Sequence, residues 1–128
     1  MTAFRGQRGQ TVSLPPYRAT TAALGSELSL VSVSGELDLY VEPDLRASLA
    51  SADGATVVLD LSGVAFLDST ICALVVGEAR RRRESGGELV VVSNGSHASR
   101  ALELAGIDRV LRMFPTLHSA LQVLLVPE

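Results

Sequence analysis

Two short apolar runs constrain the fold of this chain more than any other feature of its sequence. Residues 57–61 read VVLDL and residues 89–92 read LVVV, so both are nearly unbroken runs of leucine and β-branched side chains. Runs of this kind are typical of strands covered on both faces, as the central strands of a parallel sheet are. We therefore expect helices packed on a buried sheet, which is an α/β fold.

Further strands are predicted on either side of these two. Residues 28–35 read LSLVSVSG, and this alternation of apolar and small polar residues indicates a strand with one buried face. A preceding strand at residues 17–23 can pair with it through a turn at Gly25 and Ser26. A last short strand is predicted at residues 110–114. The sheet should therefore have about five strands.

Four segments between and after these strands have helical periodicity or helical end signals. The first covers residues 41–52, the second runs from residue 71 to 84 and stops at a glycine pair, and the others begin at the capping residues Ser96 and Thr116. Strand and helix alternate after Gly35, which favours parallel strands. The sequence predicts a single α/β domain with a mostly parallel sheet of about five strands and four helices.

The composition excludes several classes of function. The chain has 128 residues, 47% of them hydrophobic, which suits one domain with one core. Eleven basic and fourteen acidic residues leave it mildly acidic, so we expect no nucleic-acid partner. All basic residues are arginine, which excludes a P-loop lysine and Schiff-base chemistry. The longest apolar stretch, near residues 71–76, is far below the roughly 20 residues of a membrane-spanning helix.

Cysteine content and the N-terminal segment indicate where the protein works and where its domain begins. A single cysteine, Cys72, cannot form an internal disulfide, and no secretion signal is recognisable, so we expect a reducing cytoplasm. Residues 1–16 are rich in Gly, Gln, Arg, Ser and Pro without apolar periodicity, and they are predicted to be a flexible tail. The domain is then expected at residues 17–128.

Two acidic segments follow predicted strands. They are GELD at residues 35–38 and FLDST at residues 66–70, the second of which opens a helix. Functional loops of an open α/β sheet gather beyond the carboxyl ends of its strands, so we expect these segments to form one site. The hydroxyls of Ser69 and Thr70 would lie at a helix N-terminus, which favours a phosphate. Asp, Ser and Thr are also ordinary helix caps, so spacing alone leaves capping and phosphorylation open.

The order of these motifs resembles the anti-sigma factor antagonist family, whose fold is the STAS domain. The matching segments are VSGELD at residues 33–38, VVLDL at 57–61, FLDST at 66–70, GGEL at 86–89 and LAGI at 104–107. The resemblance covers about residues 17–125. It implies a partner that is both an anti-sigma factor and a serine kinase, and it implies Ser69 as the phosphoacceptor.

The resemblance also implies roles for the neighbours of Ser69. Asp68 precedes the acceptor, Asp38 of the GELD segment lies near it, and Thr70 matches the second hydroxyl position. Ile71 departs from the family, which usually has glycine there. A β-branched side chain would keep a partner's backbone at a distance, so we expect binding to tolerate Ile71 better than phosphorylation does.

The family resemblance implies the first of three functions, and the residues leave two others open. The leading hypothesis is a binding switch that captures an anti-sigma factor, frees a sigma factor, is turned off by phosphorylation and is reset by a serine phosphatase. It needs no cofactor, metal or catalytic residue. The alternative is an unphosphorylated scaffold or a homodimer with Ile71 in an apolar contact patch. The third, an enzyme using Ser69 or Cys72 as nucleophile, lacks a G-x-S-x-G motif and a recognisable acid–histidine pair.

The remaining conspicuous residues favour structural interpretations. The arginine run at residues 80–83 is interpreted as a solvated helix face rather than a docking patch. Cys72 falls in an apolar helix segment and is interpreted as a small buried hydrophobic residue. His97 and His118 stand beside predicted helix starts, without carboxylate or cysteine partners at metal-binding spacing. We therefore predict that neither histidine is catalytic or a metal ligand.

Overall fold

The computed structural model describes residues 17–125 of the chain. The tail expected at residues 1–16 lies outside the described residues, as do residues 126–128. Within the described range the elements are β1 (Arg18–Ala23), β2 (Leu28–Leu37), α1 (Glu42–Ser51), β3 (Thr56–Leu67), α2 (Ser69–Glu84), β4 (Glu88–Val92), α3 (His97–Leu104), a 3₁₀ turn (Ile107–Arg109), β5 (Met113–Phe114) and α4 (Leu117–Leu124). None of these helices has the length and apolar character needed to cross a membrane.

The five strands form one sheet in the order β1-β2-β3-β4-β5. β1 is antiparallel to β2, and every later pair is parallel. Each parallel connection contains a helix, as a parallel crossover requires. The predicted single α/β domain, with a mostly parallel five-stranded sheet and four α-helices, is confirmed over the described residues.

Helices cover the sheet on both faces, and this explains the two apolar runs. Val57 and Leu59 of β3 belong to the larger core cluster, which includes buried residues of α1, α2 and α3. Val58, which lies between them, points the other way into a smaller cluster with Ala120 of α4. All four side chains are completely buried. Because Val57, Val58 and Leu59 together bury both faces of β3, no polar residue alternates with them.

β3 is longer than the predicted strand at residues 57–61. It continues to Leu67 and pairs with β2 throughout, with register shifts near Ser34 and Gly35. Sequence analysis missed the extension because it begins with a polar and a small residue, Ser62 and Gly63. The Ser62 N–H donates to the Asp60 carboxylate at 2.9 Å, and such a local contact is typical of loops. As a result, β2 and β3 project beyond the end of β4.

The last strand is shorter than the predicted one at residues 110–114. Only Met113 and Phe114 pair with β4, opposite Val91 and Val92. The preceding chain forms the 3₁₀ turn at Ile107–Arg109 instead of continuing the strand. Val110 ends this turn with helical backbone angles, so it is not available for pairing with β4.

The arginine run at residues 80–83 is not a uniformly solvated face, and that interpretation is wrong for Arg82. Arg82 is buried, whereas the other three arginines are exposed. Its guanidinium donates to a Glu78 carboxylate oxygen at 2.6 Å and to the backbone carbonyls of Leu49 at 2.7 Å and Ala52 at 3.3 Å. Arg82 therefore ties the C-terminal part of α2 to the end of α1.

Replacing Arg82 by Met should lower the free energy of unfolding by about 3 kcal/mol. The substitution leaves the buried Glu78 carboxylate with Arg81 as its remaining partner, and it removes the side-chain donor to the carbonyls of Leu49 and Ala52 at the end of α1. Arg80→Met, on the exposed face of the same helix, is the matched control and should change stability by less than about 0.5 kcal/mol. Urea unfolding followed by circular dichroism measures both, and equal effects would contradict the anchoring role of Arg82.

Candidate phosphorylation and partner-binding site

The carboxyl ends of β2 and β3 lie side by side. Leu37 pairs with Leu67 at the last position of both strands, and the Asp68 N–H donates to the Leu37 carbonyl at 3.1 Å. The segments that begin with Asp38 and Asp68 are therefore neighbours. The expectation that the two acidic segments meet at one edge of the sheet is confirmed.

Asp68 caps helix α2. Its Oδ1 accepts a hydrogen bond from the Ile71 N–H at 3.1 Å, and its backbone is extended, as an N-cap requires. Ser69 and Thr70 are the first two residues of the helix, and both are exposed. Because Asp68 provides the cap, capping accounts for Asp68 but not for the hydroxyl of Ser69. A phosphate on Ser69 would lie at the positive end of the helix.

Asp38 shapes a tight turn between β2 and α1. Its Oδ1 accepts a hydrogen bond from the Tyr40 N–H at 2.9 Å, and its backbone carbonyl accepts one from the Val41 N–H at 3.1 Å. The two side chains that the turn presents, Leu39 and Tyr40, are 55% and 82% exposed. Sequence analysis missed both. The sequence does contain a signal for an exposed apolar turn, because two large apolar residues lie between the GELD segment and the first residue of the helical pattern.

Phe66 and His97 form a second feature of this edge. Their rings stack with centroids 5.5 Å apart and an interplanar angle of 19°. Phe66 is 39% exposed, and His97 is the first residue of α3. Sequence analysis missed this pair because no local pattern joins the end of β3 to the start of α3. Among residues 17–125, no group of three or more His, Cys, Asp or Glu side chains could hold a metal ion.

Ile71 lies in the core, so the expectation that its side chain belongs to an apolar contact patch is wrong. It is completely buried and packs in the same cluster as Leu74 and Val75, three and four residues further along α2. The cap at Asp68 fixes where the helix starts, and this start turns the third helical residue inward. A partner at this surface cannot contact the Ile71 side chain.

Ile71→Ala should lower the free energy of unfolding by about 2–4 kcal/mol, because it removes buried methyl groups and leaves a cavity. Thr70→Ala changes the adjacent exposed residue and should cost less than about 0.5 kcal/mol. Both values come from urea or thermal unfolding. An Ile71→Ala variant as stable as the wild type would show that the first turn of α2 is not fixed to the core.

Cys72 follows Ile71 and is partly buried against the same core. Burial raises the pKa of the thiol above its ordinary value, and the nearby Asp68 carboxylate raises it further. The uncharged thiol is therefore favoured at neutral pH, which disfavours nucleophilic chemistry. The prediction that Cys72 is a small hydrophobic residue fits this partly buried position.

Alkylation of Cys72 by iodoacetamide should show the raised pKa directly. The pKa lies above the ordinary value, so the thiolate appears only at higher pH and the pH profile of the rate should shift upward relative to the urea-unfolded chain. Asp68→Asn should move the folded profile part of the way back, because it removes a negative charge while keeping a capping oxygen. A folded profile at or below the unfolded one would contradict this electrostatic description.

Comparison with known families identifies the class of protein to which this fold and this site belong. The family model described as the STAS domain matches residues 22–120, which is most of the chain. The chain belongs to the STAS-domain family, and its relatives are named anti-sigma factor antagonists. The family resemblance stated from the sequence motifs is thereby confirmed.

Individual relatives agree with this assignment. The anti-sigma-F factor antagonist RsfB of Mycobacterium tuberculosis is 33% identical over 113 residues, covering 86% of this chain and 92% of that protein. An anti-sigma factor antagonist from Mycobacterium paratuberculosis superposes with a TM-score of 0.75 at 28% identity, covering 84% of this chain and 93% of the other. The Bacillus cell fate determinant SpoIIAA in its phosphorylated form, at 18% identity, covers 84% and 99% with a TM-score of 0.66 and shares the fold.

Proposed function

We propose that this protein is an anti-sigma factor antagonist that is switched by phosphorylation of Ser69. Unphosphorylated, it binds an anti-sigma factor that is also a serine kinase, and a sigma factor is freed for transcription. Phosphorylated, it releases that partner until a serine phosphatase resets it. The protein works in the cytoplasm and catalyses no reaction itself. The observation that carries the proposal is the exposed Ser69 at the start of α2, beside the turn of Asp38.

The electrostatics of this edge favour a switch of that kind. A phosphate adds about 1.5–2 negative charges at pH 7. In the free protein the positive end of α2 and surrounding water accommodate these charges. In a complex they lie within the contact surface near Asp38 and Asp68, where repulsion and desolvation oppose binding. Loss of such a contact costs roughly 2–5 kcal/mol, which weakens binding by about 30-fold or more.

Because the Ile71 side chain points into the core, it does not hinder access of a kinase to Ser69. Its side chain is completely buried in the core, so it puts no bulk on the surface over which a kinase closes. In our proposal, the substitution for glycine therefore affects stability more than access to Ser69. The scaffold alternative relied on an exposed Ile71, and it loses that support.

The proposal is supported by the name of one relative and by the phosphorylation states known for another protein with this fold. RsfB is named as an antagonist of an anti-sigma factor. SpoIIAA, which shares the fold, is known in an unphosphorylated and a phosphorylated form. A protein with this fold therefore carries a phosphate in one of its states. In this chain, the motif resemblance and the exposed hydroxyl both favour Ser69 as the equivalent site.

The decisive experiment uses the serine-kinase anti-sigma factor that the tagged protein captures from the cytoplasm of its source organism. Incubation of the purified pair with ATP should add one phosphate to Ser69, as mapped by mass spectrometry. Ser69→Ala should accept none and still bind, because the alanine removes only an exposed hydroxyl. Ser69→Glu should bind at least about tenfold more weakly, since it places a negative charge where the phosphate would be.

Thr70→Ala is the matched control, because it removes the neighbouring exposed hydroxyl from the same helix turn. It should be phosphorylated at Ser69 as the wild type is. Phosphate on Thr70 instead of Ser69 would move the switch by one residue. A partner that binds the wild type but transfers no phosphate would leave the chain as an unphosphorylated interaction module.

A further inference from the structure

Some of the large apolar side chains that are exposed in the described part of the chain lie at the proposed site. The exposed set consists of Leu24, Leu39, Tyr40, Phe66, Leu104, Val123 and Leu125. Three of the seven, Leu39, Tyr40 and Phe66, lie within two residues of Asp38 or Asp68, at the end of the β2–β3 pair. Exposed apolar residues that cluster beside polar groups are typical of contact surfaces.

Leu39 and Tyr40 differ from Phe66 in how they are held. The Phe66 ring already stacks on His97. The Leu39 and Tyr40 side chains project from the turn, while the Asp38 carboxylate and carbonyl hold its backbone at 2.9 and 3.1 Å. The turn leads directly into α1, which is anchored in the core by Leu45. A rigid turn that presents a tyrosine loses little conformational freedom on binding, and such residues often carry most of the binding energy.

We infer that Leu39 and Tyr40 anchor the anti-sigma factor, and that Asp38 acts by shaping the turn that presents them. Asp38 is thus a positioning residue for Tyr40 rather than a direct contact of the phosphoserine. This inference rests on the proposed function and names the surface that the partner binds. The partner should offer an apolar pocket next to the active site that receives Ser69.

The position of the turn identifies the anti-sigma factor as its occupant. Neighbouring strands lie about 4.8 Å apart, so the first residues after Leu37 and Leu67 are close neighbours. A kinase whose active site covers Ser69 must therefore also cover the adjacent turn. Carboxylates at Asp38 and Asp68 border this surface, so basic groups at the rim of the partner's pocket would complement it.

The turn can be tested without any partner. Asp38→Ala removes the acceptor of the Tyr40 N–H, whereas Asp38→Asn keeps an oxygen at the same position. In amide NMR spectra, the Tyr40 signal of Asp38→Ala should shift and show the large temperature coefficient of an unbonded N–H. The signal of Asp38→Asn should keep the small coefficient of the wild type. An unchanged Tyr40 signal in Asp38→Ala would refute the positioning role.

Binding is then measured by titration calorimetry with the captured anti-sigma factor. Tyr40→Ala should bind at least about 30-fold more weakly, as expected for a central aromatic anchor. Asp38→Ala should also bind more weakly, and Asp38→Asn should recover most of the affinity. Leu104→Ala is the matched control, because Leu104 is 76% exposed at the far end of α3, away from the turn. It should bind as the wild type does.

The outcomes separate this inference from the proposed function. Wild-type affinity in Tyr40→Ala, together with normal phosphorylation of Ser69, would overturn the anchor and leave the switch standing. A loss in Asp38→Asn as large as that in Asp38→Ala would show that the charge of Asp38 matters and not the turn. A wild-type protein that binds no serine-kinase anti-sigma factor would overturn both proposals.

Discussion

The parallel pairing of β2 with β3 is the interaction on which the rest of the structure depends. The two strands remain paired beyond the end of β4 and finish together at Leu37 and Leu67. Two segments far apart in sequence therefore emerge side by side. Because α1 and α2 both begin just past this edge, the same pairing fixes the turn at one helix start and the hydroxyls at the other.

A second set of contacts holds the two helices at their opposite ends. Arg82 joins α2 to the carbonyls of Leu49 and Ala52 at the end of α1, and Glu78 balances its buried charge. The helices are thus fixed near the site by the strand ends and far from it by one guanidinium. Buried charge is an expensive way to join two helices, and a hydrophobic pair can be as stable. The guanidinium also fixes the relative position of the two helices, because its planar set of N–H donors must meet carbonyls at defined positions.

Sequence patterns predicted the parts of the fold that depend on local periodicity. The runs at residues 57–61 and 89–92 could be interpreted correctly because a strand buried on both faces has a distinctive composition. The burial of Arg82 could not be predicted. Its carbonyl acceptors belong to another helix, so the local sequence around the arginine run contains no pattern that indicates them. The Phe66–His97 stack is also a tertiary contact, between residues that no sequence spacing connects.

The error at Ile71 has a different origin. Comparison with the family drew attention to the missing glycine and suggested an exposed contact, whereas the helical phase shared with Leu74 and Val75 indicates an inward position. The meeting of the Asp38 and Asp68 segments was predicted correctly, because it follows from a general property of parallel sheets. The roles assigned to Ser69, Asp38, Asp68 and Thr70 stay predictions. The structure shows that the two hydroxyls are exposed and that the two acidic segments are adjacent, and phosphate transfer is a property of the pair with its kinase.

In the switch that we propose, a single helix turn separates stability from switching. Asp68 and Ile71 hold the first turn of α2, one through the cap and the other through the core, and Ser69 and Thr70 between them face solvent. A phosphate on Ser69 would therefore leave the core intact, and the positive helix end would offset its repulsion from the adjacent Asp68. Its cost would be larger in the complex, where water is displaced from these charges. By thermodynamic linkage, a group that the free state tolerates and the complex does not must weaken binding by that difference, so transfer of the phosphate would itself favour release.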